Sequence, residues 1–351
     1  MTEPERDRTA EPDGTAEPNR TPEPDRTPEP DRTAESNRSP AAGAPLFAGV
    51  LLLTAVVLTG RRTPSRPARA ALLTYGWAVA GALLLVVPDA RLLTLLGYAP
   101  ILIVGAPFGW PDVNYGEVFT WTLANQASCV LGGLLLAAAT LRWQFGTAGV
   151  CTACGRGEPA ARWTAPEAAA RWGRWAVYAA AAVPALYAFT RLSWAAGIPL
   201  GIPRTFLDEM RADGMIWAAL GLGGFALAGA ILTLGLAQRW GETFPRWMVG
   251  LAGRRVPITL ATVPAALVAI CVTSAWIGFF STHGFFTAFG GEPVAAMLPM
   301  TLWPVWGVAL GAATLAYYLR RRSMCAVCGR GNPERIAPER GLVRTPETVA
   351  Y

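Results

Sequence analysis

The chain has 351 residues, of which 52% are hydrophobic and only 15% are charged. A soluble protein normally carries about 25% charged residues, so this composition excludes an ordinary soluble domain and indicates a polytopic membrane protein. All 30 basic residues are arginine, and the formal net charge is +6. A basic chain can indicate a nucleic-acid partner. These arginines stand at the ends of apolar segments, so we expect the lipid bilayer, and no nucleic acid, as the partner.

Residues 1–40 form a polar tail. Most of the tail is a hexapeptide repeat rich in proline, glutamate and arginine, which covers residues 9–38. A segment of this composition cannot bury enough apolar surface to offset the chain entropy that it would lose on folding. The sequence therefore predicts that the tail is disordered.

Apolar stretches follow the tail throughout residues 41–322. Each is about 20 residues long, the length at which an α-helix crosses a bilayer. The seven predicted spans are 41–60, 70–87, 120–141, 175–195, 215–238, 257–280 and 297–319. The predicted fold is therefore an all-α, polytopic helical membrane bundle.

The distribution of arginine predicts the orientation of these spans. Twenty of the 24 arginines after residue 40 lie in four segments, 61–69, 142–174, 239–255 and 320–344. Because arginine is enriched in cytoplasmic loops, these segments and the C-terminal tail at 323–351 are predicted to be cytoplasmic, with the N-terminus outside. This orientation requires that the short apolar stretch 92–107 does not cross the membrane. We expect it to be an external interfacial or re-entrant segment.

The last six spans are predicted to form three helical hairpins, preceded by one N-terminal helix. The second helix of each hairpin begins near a tryptophan, at Trp121, Trp217 and Trp303, and tryptophan prefers the headgroup layer of the membrane. Glycines recur in these helices and permit close helix packing. That packing is expected within the chain, with a homo-oligomer as the alternative.

The pattern Cys-x-x-Cys-Gly-Arg-Gly-x-Pro occurs twice, at 151–159 and at 325–333. In such a pattern both thiols can bind one metal ion, and the glycine permits a backbone turn whose N–H groups donate to the sulfurs. Both copies are predicted to be on the cytoplasmic side. We therefore expect one four-cysteine metal site, with Arg156 and Arg330 offsetting the negative charge of the thiolates. Its ligands are Cys151, Cys154, Cys325 and Cys328.

Four interpretations of the cysteine pattern stay open. A structural zinc clip that joins the ends of the third and seventh spans is favoured, and such a closed site has no open coordination position for catalysis. The alternatives are redox-active cysteine pairs, an iron site as in rubredoxin, and thiols without a metal. Cys129 and Cys271 lie within predicted spans and are expected to be buried, apolar residues.

A second group of polar residues gathers at the opposite, external ends of the helices. The candidates for an external polar site are Arg191, Asp208, Glu209 and His283, although a solvated rim is the simpler interpretation. His283 is the only histidine in the sequence. The chain alone therefore cannot assemble a metal site from several histidines.

Three segments resemble those of uncharacterised multi-pass membrane proteins of actinobacteria. They are Arg-Trp-Gly-Glu-x-x-Pro-Arg-Trp at 239–247, Gly-Arg-Arg-Val-Pro at 253–257 and Ala-Thr-Leu-Ala-Tyr-Tyr-Leu-Arg-Arg-Arg at 313–322. The resemblance covers most of residues 41–331, and it implies a membrane location but no activity. Each cysteine motif separately resembles one half of a zinc-ribbon or rubredoxin knuckle.

Together, these patterns favour a non-enzymatic integral membrane protein with a cytoplasmic four-cysteine zinc clip, in a regulatory or scaffolding role. The sequence contains no P-loop, Gly-x-Ser-x-Gly or His-Glu-x-x-His motif, which removes the enzyme classes that depend on those motifs. Two alternatives stay open. One is a transporter of a neutral or lipid-like solute, and the other is a membrane thiol–disulfide oxidoreductase.

Overall fold

The computed structural model describes residues 65–89, 91–97, 107, 120–158, 161–248, 250–281 and 299–331. All of them belong to one compact unit that spans residues 51–351. The predicted tail at 1–40, the predicted first span at 41–60, most of the stretch 92–107 and the C-terminal residues 332–351 lie outside the described residues.

The described part of the chain is helical, as predicted. Its main helices, in chain order, are α1 (Arg66–Leu85), α2 (Trp121–Thr147), α3 (Pro166–Ala195), α4 (Arg204–Ala212), α5 (Ile216–Gly235), α6 (Ile258–Ser281) and α7 (Trp303–Arg321). Residues 91–97 form a further short helix. Within these described ranges, extended pairing is limited to one antiparallel bridge between Thr243 and Arg255.

Four of these helices are long and apolar enough to cross a membrane: α1, α2, α5 and, over Ile258–Phe279, α6. They coincide with four of the predicted spans, those at 70–87, 120–141, 215–238 and 257–280. Helices α3 and α7 cover all or most of two more, with 30 and 19 residues, but their composition is less apolar. The seven-span arrangement therefore stays a prediction.

Packing joins the long helices in pairs that are successive in the chain, apart from the short helix α4 between α3 and α5. Helix α1 packs against α2, α3 against α5, and α6 against α7. Further packing of α3 on α7 and of α1 on α6 connects the pairs. A buried core at the centre of the bundle combines side chains of α3, α6 and α7, among them Val177, Ala269 and Tyr317.

Glycine allows the central helices to approach each other closely. A Cβ atom at Gly173 of α3 would collide with Ala316 of α7, and one at Gly307 of α7 would collide with Thr273 of α6. Because helix association within a membrane depends on such close packing, these two contacts fix the position of α7 between its neighbours. The C-terminal end of α7 carries one half of the site described next.

Candidate metal centre

Two turns of equivalent structure follow the C-terminal ends of α2 and α7. We call residues 151–157 the first knuckle and residues 325–331 the second knuckle. In both, the N–H of the first glycine donates to the carbonyl of the first cysteine, at 2.7 Å and 2.8 Å. The N–H of that cysteine donates to the carbonyl of the arginine, at 3.1 Å and 3.0 Å. The repeated sequence therefore folds into a repeated turn.

Glycine is required at the fifth position of each motif. Gly155 has a φ of +69° and Gly329 a φ of +67°, which is the left-handed region that residues with a side chain seldom adopt. This conformation closes the turn and brings the two cysteines of each knuckle to the same side. The backbone conformation predicted from the pattern is present in both copies.

The two knuckles bring all four cysteines together. The Sγ atoms of Cys151 and Cys325 are 4.0 Å apart, and those of Cys154 and Cys328 are 3.6 Å apart. All four sulfurs lie within 4.8 Å of one another. A tetrahedral zinc ion with Zn–S bonds of about 2.3 Å separates its sulfurs by roughly 3.8 Å. The four cysteines can therefore hold one metal ion, with small adjustments of their side chains.

Backbone N–H groups in each knuckle point at the first sulfur. The N–H groups of Cys154 and Ala153 donate to the Cys151 thiolate and lower its pKa. The N–H groups of Cys328 and Val327 do the same for Cys325 and lower its pKa to about 6. Hydrogen bonds to the charged form stabilise a thiolate, and the thiolate is the form that binds a metal.

Cys154 has the opposite tendency. The pKa of its thiol is raised to about 11, mainly by burial and also by the neighbouring cysteine sulfurs, although the Arg156 N–H opposes the rise. A second thiolate in this position would need a nearby cation. A metal ion supplies that charge and displaces the protons, so the cluster has the donor chemistry of a cation site.

The two motif arginines connect the knuckles to each other. Arg156 Nη1 donates to the carbonyl of Arg330 at 2.6 Å, and Arg330 Nη1 donates to the carbonyl of Arg156 at 3.2 Å. Arg156 also donates to the carbonyls of Ser323 and Arg322, at 3.0 Å and 3.4 Å. The guanidinium groups thus bind the backbone of the opposite knuckle, and the predicted compensation of thiolate charge stays a prediction.

Arg322 contacts the site, although it was not among the residues predicted from the sequence. Its guanidinium donates to the carbonyl of Cys154 at 3.3 Å and to that of Thr164 at 3.4 Å. Burial, with the nearby charge of Arg156, lowers the pKa of Arg322. Arg322 is the last of three consecutive arginines at the end of an apolar span. A cytoplasmic position accounts for such a group of arginines, so the sequence alone did not indicate a contact with the cysteine site.

Phe145 is a second contributor that the sequence analysis missed. Its ring lies under the first knuckle, so close that a Cβ atom on Gly155 would be 2.5 Å from the ring Cζ. The ring belongs to the last turns of α2. The packing of this ring therefore fixes the position of the first knuckle relative to α2.

The site joins helices that otherwise pack on different neighbours. Helix α2 packs mainly against α1, whereas α7 packs against α3 and α6. The cysteines that follow α2 and α7 meet at one point, 174 positions apart in the chain. A bound metal would therefore connect the α1–α2 pair to the central helices at their ends.

Three of the four candidates for the external polar site are among the described residues. The Arg191 guanidinium lies over the rings of Tyr187 and Trp194, 4.6 Å and 4.0 Å from their centroids. Asp208 and Glu209 are exposed on α4, and among the described residues no ion pair joins them to Arg191. His283 lies outside the described residues. Cys129 and Cys271 are buried within their helices, as expected.

Comparison with known proteins gives no match: no family model, no curated protein and no solved structure is similar to the chain. The resemblance to actinobacterial membrane proteins therefore stays a prediction. The four-cysteine site and the apolar helices are the features of the chain that indicate its function.

Proposed function

We propose that the protein is a non-enzymatic integral membrane protein in which a structural zinc ion fastens the cytoplasmic ends of α2 and α7. The observation that carries this proposal is the meeting of four sulfurs, all within 4.8 Å of one another, from two knuckles at two helix ends. Four thiolates complete the coordination of zinc and leave no position for a substrate. The site therefore stabilises an arrangement of helices and performs no reaction.

Metal analysis of the purified protein tests the clip. Wild type should contain about one zinc ion per chain, and Cys151→Ser and Cys325→Ser should each lose it. The matched control is Cys129→Ala, which removes a buried thiol outside the cluster and should keep the metal. Absorption of visible light by the wild-type protein would instead identify an iron site of the rubredoxin type. A metal content unaffected by either serine variant would disprove the clip.

The membrane arrangement in this proposal has seven spans, with both knuckles in the cytoplasm. It is supported by the four apolar helices and by the concentration of arginine next to both motifs. Reporter fusions after residues 145 and 322 test it. A reporter that is active only outside the cytoplasm should stay silent at both points, and activity at either one would reverse the orientation.

A thiol–disulfide oxidoreductase is the second candidate, because one thiolate lies beside other thiols. Cys325, with its pKa lowered to about 6, can act as a thiolate nucleophile. Its sulfur lies 4.0 Å from that of Cys151, which belongs to the other knuckle and whose pKa is also lowered. Oxidation of this pair would release two protons and two electrons to an external disulfide. A reversible disulfide in metal-free wild-type protein would favour this candidate, and the transporter alternative stays a prediction.

A further inference from the structure

A cavity of about 730 Å³ lies beside the cysteine site, between the start of α3, the start of α6 and the end of α7. Ser323 connects the cavity to the cysteine site. It lines the cavity, and its carbonyl accepts a hydrogen bond from Arg156 of the first knuckle. Neither the sequence motifs nor the metal clip accounts for this cavity. Its volume is within the range of pockets that bind small molecules.

Charged side chains dominate the polar part of the lining, which contains three arginines and two glutamates: Arg255, Arg320, Arg321, Glu167 and Glu242. One arginine and one glutamate neutralise each other. Arg320 Nη1 forms an ion pair with Glu242 at 3.1 Å, and its Nη2 donates to the carbonyl of Leu236 at 2.6 Å. Arg320 is therefore a structural residue of the cavity wall.

The other two arginines are free to bind a ligand. Within the described part of the chain, neither Arg255 nor Arg321 forms an ion pair with a carboxylate. Arg321 is held in place by a hydrogen bond to the Tyr317 hydroxyl, and its guanidinium lies 5.1 Å from the centroid of that ring. Arg255 is an exposed residue of the lining. The cavity lining thus contains two guanidinium groups that form no ion pair with a carboxylate in the described part of the chain.

We propose that this cavity binds a phosphate group through Arg255 and Arg321. Guanidinium groups match phosphate oxygens in geometry and charge and often bind them by paired hydrogen bonds. Because the lining comes from the ends of helices in an apolar bundle, the phosphate of a lipid headgroup and a free phosphate are both possible sources. This inference concerns a second site and does not depend on the proposed zinc clip.

Glu167 limits the charge that the cavity accepts. It is exposed in the lining and forms no ion pair among the described residues, so its carboxylate opposes an anionic ligand. Two arginines against one free carboxylate leave a surplus of one positive charge, which suits a single phosphate diester better than a polyphosphate. Removing the charge of Glu167 should therefore strengthen phosphate binding, a gain that loss of structure cannot imitate.

Thermal unfolding of the purified, full-length protein in neutral detergent tests the proposal. One arm adds sodium phosphate, with sodium chloride at equal ionic strength as the reference. The other arm compares dioctanoyl phosphatidylglycerol with dioctanoylglycerol, which has the same chains and no phosphate. The variants are Arg255→Ala, Arg321→Ala and Glu167→Gln. The control is Arg254→Ala, which removes an exposed neighbouring arginine that does not line the cavity.

The expected result is a rise in unfolding temperature that requires the phosphate group. Arg255→Ala and Arg321→Ala should each weaken binding by about tenfold, Glu167→Gln should tighten it severalfold, and Arg254→Ala should match wild type. A response to sodium phosphate identifies free phosphate as the source, and a response confined to the phospholipid identifies a headgroup. No response in wild type, or an equal loss in Arg254→Ala, would overturn the proposal. If Arg321→Ala does not fold, the other two variants still test the proposal, because Arg255→Ala should weaken phosphate binding and Glu167→Gln should strengthen it.

Discussion

The two knuckles have identical residues at six of the nine motif positions and the same internal hydrogen bonds, but their surroundings differ. In the first knuckle, residues 154–157 are half-buried, and Gly155 lies against the Phe145 ring. In the second, Gly329 has open space around it, and Val327 is 73% exposed. The short motif therefore determines the turn, whereas the neighbouring helices determine how much each turn contributes to stability.

This difference arises from the position of each knuckle in the chain. The first is inserted between two long helices, α2 and α3, and the Phe145 ring of α2 packs against it. The second follows the end of α7 and is connected to the rest of the described structure mainly through Arg156, Arg322 and the cysteines. Matched substitutions in the two copies measure this asymmetry directly.

Alanine at the two left-handed glycines should give the largest difference. Gly155→Ala would force a Cβ against the Phe145 ring and also strain the backbone. We therefore expect it to lower the free energy of unfolding by about 2–4 kcal/mol. Gly329→Ala would only strain the backbone and should lower the free energy of unfolding by about 1–2 kcal/mol. Thermal unfolding of the metal-loaded variants, with metal retention against a chelator, measures both effects. Adding Phe145→Ala to Gly155→Ala should restore part of the loss, and equal losses for the two single variants would contradict the asymmetry.

The two motif arginines should differ by a smaller amount. Arg156 donates to three carbonyls near the second knuckle, whereas Arg330 donates to one and pairs with Glu158. We expect Arg156→Ala to lower the free energy of unfolding by about 1–2 kcal/mol. Arg330→Ala should lower it by less than about 1 kcal/mol. The same unfolding measurement compares them. A greater loss for Arg330→Ala would mean that charge near the sulfurs, and not the carbonyl contacts, governs the role of these residues.

The smallest effect is expected at the surface ion pair between Arg330 and Glu158, whose atoms are 3.3 Å apart. The Glu158 side chain is 79% exposed, and water and salt screen such pairs. Glu158→Gln should therefore change stability by less than about 0.5 kcal/mol, and raising the salt concentration should remove even that difference. A large effect that persists in high salt would show that the ion pair anchors the second knuckle.

The four cysteines of the site could be predicted from the sequence, because they belong to a short motif that occurs twice. The shared Cys-x-x-Cys-Gly-Arg-Gly-x-Pro pattern predicted one turn in two copies, and the arginine distribution predicted that both copies share one side. The contacts of Arg156 were not predictable. They depend on carbonyls more than 160 positions away, and short-range spacing contains no information about such partners.

Hydropathy predicted α1, α2, α5 and α6 as membrane-length helices, and the structure contains them. It also predicted helices at 175–195 and 297–319, and α3 and α7 lie there. These two helices are less apolar than the other four, because they pack through small and polar residues such as Gly173, Thr314 and Ala316. Such residues lower the apolar score of a helix although they are buried against neighbouring helices. The cavity beside α7 was also missed, since its lining combines three separate helix ends that only the tertiary fold brings together.

The joined knuckles also have a mechanical consequence, because they close a ring of 174 positions within the chain. With a metal bound, a pulling force applied at the two chain ends would pass through the sulfur–metal bonds and bypass helices α3 to α7. We expect single-molecule stretching to extend only the outer segments until the metal is released, and then to lengthen abruptly as the ring opens. Prior removal of the metal should abolish that step.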